Sequence, residues 1–270
     1  MKLTAFYENI AEAAKQSEMT IDEMIIHLRD LGLERICILG DNILSEREWV
    51  LHTLPKLGVS LEGTHEHFDF GNHPEDESWK PMMDAAIEAG AATFLVVPGL
   101  IEPEEEPRRE EMIANMIAVT RKIVDYAAGR IDVVMEDFDD LRSPYNTIAG
   151  FDYFLEQIPG LKPVYDTGNL VCYHEDELEG FEHYADRVCF MHIKDRSRDH
   201  DERNDYPCVC EQGIEEWVVP VGTGYIRIAE IIDRLKQRGY EGGLLIELYG
   251  YKDMLNGFEI SIENMKKMLA

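Results

Sequence analysis

The sequence predicts a single closed (β/α)₈ barrel, an α/β fold of the TIM-barrel type, over residues 1–270. The chain has 270 residues, close to the roughly 250 that such barrels use. Short β-branched runs alternate with amphipathic helical stretches about eight times, which favours a parallel sheet with helices outside it. An open dinucleotide-binding sheet is the weaker alternative, because Tyr7-Glu8-Asn9 follows the first strand where such a sheet needs a glycine-rich turn.

Eight apolar runs of strand length are the predicted barrel strands. They are bounded by turn residues and separated by stretches with helical periodicity. In chain order they are Leu3–Phe6, Arg35–Leu39, part of Ser60–Phe70, Thr93–Val97, Asp132–Met135, Pro163–Tyr165, Val188–Ile193 and Gly243–Leu248.

The helices are predicted between these strands. They are Ile21–Leu31, Ser45–Leu57, Met82–Ala89, Glu110–Ala128, Phe151–Gln157, Leu178–Ala185, Ile226–Arg238 and Phe258–Leu269. The first has the clearest ends, because Thr20 and Glu23 form a capping-box pattern and Gly32 stands just past its last turn. The acidic run Glu102–Glu111 is expected to open a helix, where carboxylates suit the positive end of the dipole.

The composition excludes several kinds of partner. A formal net charge of −28 repels phosphate backbones and anionic membrane surfaces, so we expect neither nucleic acid nor membrane. The N-terminus is too polar for a signal peptide, and the longest apolar stretch, Thr93–Leu100, is far shorter than the roughly 20 residues of a membrane span. Five scattered cysteines suit a reducing cytoplasm. Cys208-x-Cys210 could hold a soft metal, but without a second nearby pair we expect two loop thiols.

The fifth to eighth predicted strands each run onto a side chain that can bind a metal. These side chains are Glu136, Asp166, His192 and Glu247. The C-terminal rim of a barrel is where its enzymes build their sites, and consecutive strands are neighbours there. A single such residue at the end of a strand would more often cap a loop, or make a hydrogen bond in the core, than bind a metal. Three carboxylates gathered without a cation would repel each other, so we predict one divalent metal bound by all four residues. Mn²⁺ is favoured, with Mg²⁺, Co²⁺ and Zn²⁺ as alternatives.

The segments around these residues resemble the xylose isomerase-like TIM barrel superfamily. Within it, the sugar and sugar-phosphate isomerase/epimerase branch is the best match. The likeness rests on Met135-Glu136-Asp137, Tyr165–Asn169, Met191–Asp195, Val221–Gly224 and Ile246-Glu247-Leu248. In ketose 3-epimerases of this branch, two glutamates, an aspartate and a histidine hold the metal. The resemblance implies the same roles for Glu136, Glu247, Asp166 and His192. Those enzymes also carry an arginine six positions after the ligand histidine, which corresponds to Arg198 here.

Two positions depart from the ketose 3-epimerase pattern. Asn169 stands where those enzymes have a histidine, and Arg142 stands where they have a second glutamate. The departures leave the four metal ligands in place but separate this sequence from the 3-epimerases.

We therefore predict a metal-dependent sugar or sugar-phosphate isomerase/epimerase. Glu136 and Glu247 would act as base and acid beside a carbonyl, with a metal-stabilised ene-diolate between the two proton transfers. The predicted substrate-binding residues are Lys194, Arg198, Asn169 and His67. Strand alternation points Lys194 the same way as His192, into the mouth.

Several other residues could contact the substrate, but the sequence indicates this less clearly. Lys194 and Arg198 could orient a phosphate, a carboxylate or a hydroxyl, and one of His65 and His67 is expected to face the mouth. Gly222 and Gly224 before a helix would suit an anion.

Other functions remain open at this level. An inosose-type dehydratase shares the proton abstraction, and a non-catalytic metal-binding barrel could serve as a binding or regulatory subunit. The endonuclease branch needs more histidines and a basic surface, which the charge of −28 opposes. Residues 199–217 form a polar insertion that is either a lid or an oligomer contact. The carbohydrate, its phosphorylation and a homo-oligomeric state are left open.

Overall fold

Eight parallel strands close into a barrel in the computed structural model, which describes residues 1–270. The eleven strands are β1 (Lys2–Phe6), β2 (Arg35–Leu39), β3 (Ser60–His67), β4 (Thr93–Val97), β5 (Asp132–Glu136), β6 (Lys162–Asp166), β7 (Phe190–Ile193), β8 (Asp195–Ser197), β9 (Cys208–Val209), β10 (Glu215–Val219) and β11 (Gly243–Ile246). β1 to β7 pair in sequence order, and β11 closes the barrel between β7 and β1. The predicted fold class is confirmed.

Ten α-helices accompany the strands. They are α1 (Tyr7–Gln16), α2 (Ile21–Leu31), α3 (Gly40–Ser45), α4 (Arg47–His52), α5 (Trp79–Glu88), α6 (Arg109–Ala127), α7 (Ile148–Gln157), α8 (Glu177–Tyr184), α9 (Ile228–Gln237) and α10 (Met254–Leu269). The apolar faces of helices and strands form one core cluster of 71 buried residues. None of the helices combines the length and apolar character needed to cross a membrane.

Helix α2 has the predicted ends. The Thr20 hydroxyl accepts a hydrogen bond from the Glu23 N–H, and the Glu23 carboxylate accepts one from the Thr20 N–H. Gly32 follows the helix with φ 128°, a conformation that glycine adopts without strain. The acidic run from Glu102 also behaves as expected, since a 3₁₀ turn, Pro103–Arg108, leads directly into α6.

The first third of the barrel differs from the prediction. Helices α1 and α3 were not predicted, because each begins directly after a strand with no side-chain cap to mark its start. The predicted helix Ser45–Leu57 is divided into α4 and the 3₁₀ turn Leu54–Leu57. Pro55 lies at the second residue of that turn, where its missing N–H breaks the α-helical hydrogen-bond pattern.

The polar insertion lies over the C-terminal rim. Its strands β9 and β10 join β8 in a small antiparallel sheet of order β8-β10-β9. The Asn204 side chain donates to the Val218 carbonyl at 2.9 Å, and Asn204 forms an isolated bridge with Tyr251 beyond β11. The insertion is therefore fastened to the barrel at several points.

The glycine turn before α9 binds an anion of the chain itself. The Asp195 carboxylate accepts hydrogen bonds from the backbone N–H groups of Gly222 and Gly224, both at 2.8 Å, and from Arg196 and Ile226. A Cβ at Gly224 would lie 2.2 Å from the Arg196 carbonyl oxygen, so only glycine fits. The expected anion site is thus filled internally, and the turn is structural.

Replacing Asp195 with Ala is expected to lower the free energy of unfolding by about 2–4 kcal/mol. Four backbone N–H groups lose a charged acceptor, and those of Arg196 and Ile226 are left in buried surroundings, where an unsatisfied donor is unfavourable. Chemical denaturation measures the change. The matched control is Asp199→Ala, an exposed aspartate four positions along, which should unfold like the wild type. Equal stability of the two variants would contradict the anchoring role.

Candidate metal centre and active-site cleft

The four predicted ligands converge at the C-terminal ends of β5, β6, β7 and β11. One side-chain donor atom from each of Glu136, Asp166, His192 and Glu247 lies within 4.8 Å of the other three. His192 Nδ1 faces the group, 2.7 Å from a Glu136 oxygen and 3.2 Å from a Glu247 oxygen. The register explains this, since Asp166 pairs with His192 across β6 and β7, and Glu136 and Glu247 flank them.

The donor atoms fit a metal ion. Asp166 Oδ1 is held by the Gly168 N–H at 2.7 Å, which leaves Oδ2 turned to the group. That oxygen and Nε2 of His192 are buried and make no hydrogen bond, whereas Nδ1 of His192 contacts the carboxylates of Glu136 and Glu247. Buried polar atoms without partners are rare in native proteins and need an explanation. A divalent cation coordinated by these atoms supplies one.

Lys194 is the protein's own cation beside the four ligands. Its ammonium lies 2.7 Å from Glu247 Oε1 and 3.7 Å from Asp166 Oδ2, and it donates to the Asn169 side-chain oxygen at 2.8 Å. Three ligand carboxylates carry three negative charges, and Lys194 offsets one. A divalent ion would offset the remaining two, which satisfies the requirement that buried charges be paired.

The pKa values of three of the candidate ligands are shifted by burial and by their charged neighbours. Burial raises the pKa of Asp166 to about 8, although the charge of Lys194 opposes the shift. Burial lowers the pKa of His192, but the carboxylates of Glu136 and Glu247 overcome that effect and raise it to about 10. Burial likewise favours the protonated form of Glu247, yet Lys194 and His192 hold its pKa below the usual value. Without a cation, the group therefore holds protons at neutral pH.

A cleft of about 730 Å³ opens above the four ligands. Glu136, His192 and Glu247 line its floor, whereas Asp166 is fully buried beneath it. Apolar side chains contribute 11 of the 21 lining residues. Part of one wall is the insertion itself, at Tyr206–Val209, and these residues were not predicted as part of the site. Their position over the mouth supports the lid interpretation of residues 199–217.

The predicted substrate-binding residues divide into two groups. His67 and Lys194 line the cleft. Asn169 is buried behind it, where its amide donates to the Asp137 carbonyl at 2.7 Å and its oxygen accepts from Lys194. It positions the lysine instead of facing a ligand.

Arg198 does not lie where the sequence analysis expects it. Its side chain is 72% exposed and outside the cleft, 3.6 Å from Glu216 and over the Tyr225 ring. The reason is that β8 leaves the barrel to pair with β10, which turns Arg198 away from the mouth.

Two further side chains face the cleft. Arg142, at a position that departs from the epimerase pattern, lines it while paired with Asp140 and Glu102. His65 also lines it, and both its ring nitrogens lack hydrogen-bond partners. Burial lowers the pKa of His65 to about 3, so it is a neutral donor and acceptor. The sequence predicts that one of His65 and His67 faces the mouth, and the structure places both at the cleft.

The chain belongs to the xylose isomerase-like TIM barrel family, whose model matches residues 8–268. The family predicted from the strand-end segments is thereby confirmed. Among known sequences, an inosose dehydratase of Lacticaseibacillus casei is 30% identical over 109 residues. That match covers 40% of this chain and only 37% of the dehydratase.

Solved structures show the same fold at low sequence identity. A D-allulose 3-epimerase from Methylomonas sp. superposes with a TM-score of 0.76 at 17% identity, over 100% of this chain and 98% of that one. The IOLI protein, solved with a bound zinc atom, gives a TM-score of 0.72 at 19% identity, over 99% and 96% of the two chains.

The affinity of the four-ligand site for a divalent ion is expected to rise between about pH 6 and pH 9. Asp166 and His192 have raised pKa values, so both carry protons that a metal must displace, and raising the pH removes those protons in advance. Calorimetric titration with Mn²⁺ in buffers of different ionisation enthalpy measures the affinity and the protons released. His192→Ala is the control and should bind little metal at any pH. Binding that is independent of pH would contradict the protonated state.

Proposed function

We propose that this protein is a divalent-metal-dependent sugar isomerase or epimerase that moves a proton at a carbon next to a carbonyl group. The observation that supports this best is the position of the two glutamates. Glu136 and Glu247 are the two carboxylate ligands that line the cleft, and they approach it from opposite sides of Asp166 and His192. A substrate carbon between them would present one face to each carboxylate.

Glu247 is the proposed base. Lys194, 2.7 Å from its Oε1, keeps it ionised, so it is ready to accept a proton when the substrate enters. Removing the proton leaves an ene-diolate, and Glu136, once it has taken up a proton from solvent, returns that proton on the other face or at the neighbouring carbon. The same pair of groups therefore serves an epimerisation or an isomerisation. A divalent cation at the four ligands would supply the positive charge that stabilises negative charge developing on the substrate oxygens.

The remaining lining residues orient the substrate. His65 and His67 offer imidazole groups to sugar hydroxyls, and the apolar wall suits the C–H faces of a ring or chain. The insertion at Tyr206–Val209 limits the access of water to the reacting carbon.

We propose a neutral substrate in preference to a phosphorylated one. The cleft is lined by four carboxylates, those of Glu136, Asp139, Asp140 and Glu247, against the two cations Arg142 and Lys194. Both cations are already engaged, Arg142 with Asp140 and Lys194 with Glu247 and Asp139. No uncompensated positive charge is left to bind a phosphate.

A dehydratase acting on a keto-cyclitol is the second candidate. The partial identity to an inosose dehydratase favours it. The reaction begins with the same proton abstraction by Glu247 but ends with loss of a hydroxyl group, for which Glu136 or a histidine of the cleft would donate the proton. A screen of free ketoses and keto-cyclitols with Mn²⁺, followed by NMR and mass spectrometry, separates the two, because epimerisation conserves mass and dehydration removes water.

Mn²⁺ as the preferred ion, a cytoplasmic location and a homo-oligomer stay predictions. Metal analysis of the purified protein and its sedimentation test the first and the last.

Glu136→Gln and Glu247→Gln are each expected to lower kcat by about 10²–10⁴-fold, because an amide occupies the same space but carries no proton. Glu247→Gln should also stop the exchange of solvent deuterium into the substrate carbon, measured by NMR. Glu216→Gln is the matched control, since this buried glutamate pairs with Arg198 and Tyr225 outside the cleft. Thermal melting checks that all three variants fold. Unchanged exchange in both cleft variants would assign the proton transfer to another group.

The ratio kcat/KM is expected to be at least about tenfold higher for a free sugar than for its phosphate ester, because a phosphate would enter a cleft whose cations are already paired. Arg198→Ala should leave both values near those of the wild type, since its side chain lies outside the cleft. A preference for the ester that disappears in Arg142→Ala would contradict the neutral substrate and make Arg142 the phosphate ligand.

A further inference from the structure

Three cysteines meet beside the cleft, at a place separate from the four-ligand site. Cys172 lies in the 3₁₀ turn Leu170–Tyr173 that follows β6, while Cys208 lies in β9 and Cys210 directly after it. The Cys172 sulfur is 3.4 Å from that of Cys208 and 2.6 Å from that of Cys210, and all three lie within 4.8 Å of one another. Cys172 and Cys210 are buried, and Cys208 lines the cleft.

The local backbone directs these thiols together. Cys208 and Cys210 are two residues apart in an extended segment, so their side chains project to the same side, while Val209 between them is exposed. The chain then turns back through Gln212 and Gly213, both with positive φ, and the Cys210 N–H donates to the Ile214 carbonyl at 2.8 Å. The turn holds both thiols against Cys172.

A buried cation accompanies the thiols. Arg196 is fully buried, and its Nη1 atom has no hydrogen-bond partner, whereas Nη2 donates to the Asp139 carboxylate. Hydrogen bonds from Cys172 and Cys210, together with the charge of Arg196, lower the pKa of the Cys208 thiol despite its burial, while the same hydrogen bonds raise the pKa of Cys172. The surroundings therefore favour a thiolate, which is the form that binds metals.

We propose that Cys172, Cys208 and Cys210 form a second metal site, which binds a thiophilic divalent ion such as Zn²⁺. On binding, the thiols release to solvent the protons that they still carry, and each sulfur donates an electron pair to the ion. Three thiolates and a divalent ion leave one net negative charge near Arg196, whose own charge is shared with the Asp139 carboxylate. Sulfur ligands about 2.3 Å from a zinc ion lie roughly 3.8 Å apart, so small side-chain rotations suffice, and a fourth position remains for solvent.

A disulfide between Cys172 and Cys210 is the competing interpretation. It uses only two of the three sulfurs and would leave Cys208 and the unpartnered Arg196 nitrogen without a role. Three converging sulfurs beside a cation favour the metal. The site would tie the insertion to the segment after β6 and so hold Tyr206–Val209 over the cleft.

Cobalt titration of the full-length protein tests the proposal, after chelation under reducing conditions. Cobalt bound by sulfur gives an intense near-ultraviolet charge-transfer absorption that oxygen and nitrogen ligands do not give. We expect the wild type to bind two equivalents of Co²⁺, one of them with this absorption, and Zn²⁺ to remove it. Cys208→Ser/Cys210→Ser should lose the absorption and keep one equivalent.

Two controls separate this site from the four-ligand site. His192→Ala should lose an equivalent of Co²⁺ but keep the charge-transfer absorption, so a failure of the proposed catalytic metal would not affect the result. Cys189→Ser, a thiol facing the Pro163 carbonyl away from the cluster, should match the wild type.

The wild-type spectrum decides the matter even if the double variant does not fold. Absence of the sulfur absorption in reduced wild type would overturn the proposal, as would its persistence in the folded double variant. A disulfide would be assigned by two results together. Unfolded, unreduced protein would show three free thiols instead of five, and the reduced protein would show no charge-transfer absorption with Co²⁺.

Discussion

Opposite charges are buried together at one end of the barrel, and each of them has to be paired there. Three carboxylates, an imidazole and the Lys194 ammonium lie together with little or no access to solvent. Such charges are stable only when each has a partner, and Lys194 compensates just part of the negative charge. The barrel can hold this group because each member comes from a different strand and the closed hydrogen-bond register fixes their separations. A divalent cation bound by the three carboxylates and the imidazole would balance the negative charge that Lys194 does not compensate.

One short segment links this charge group to the rest of the rim. Between His192 and Arg196, successive side chains contact different parts of the rim. His192 and Lys194 face the cleft, Asp195 holds the glycine turn before α9, and Arg196 donates to the Asp139 carboxylate. Asp139 contacts both Lys194 and Arg196, so one carboxylate joins the floor of the cleft to the buried arginine. The insertion that walls the cleft is thus anchored to the segment that carries His192, a candidate metal ligand.

Much of the fold was predictable from local pattern. The eight barrel strands appear at their predicted places, because each apolar run is short, bounded by turns and separated by helical periodicity. The four ligands were predictable for the same reason, since in a parallel barrel every strand ends at the same rim. The sequence does not predict helices α1 and α3, because no side chain caps their first turns. The predicted helix Ser45–Leu57 is too long, because it continues across Pro55.

The barrel, its family and four candidate metal ligands could be predicted from the sequence alone, because each strand and the side chain at its end belong to a single β/α unit. The tertiary structure decided which other residues join the site. Cys172 meets Cys208 and Cys210 across 36 and 38 residues, and Arg198 turns outward although it is close in sequence to His192. The physical reason is the path of the insertion: β8 leaves the barrel to form an antiparallel sheet, and the course of a loop across the rim is set by contacts that no local periodicity encodes.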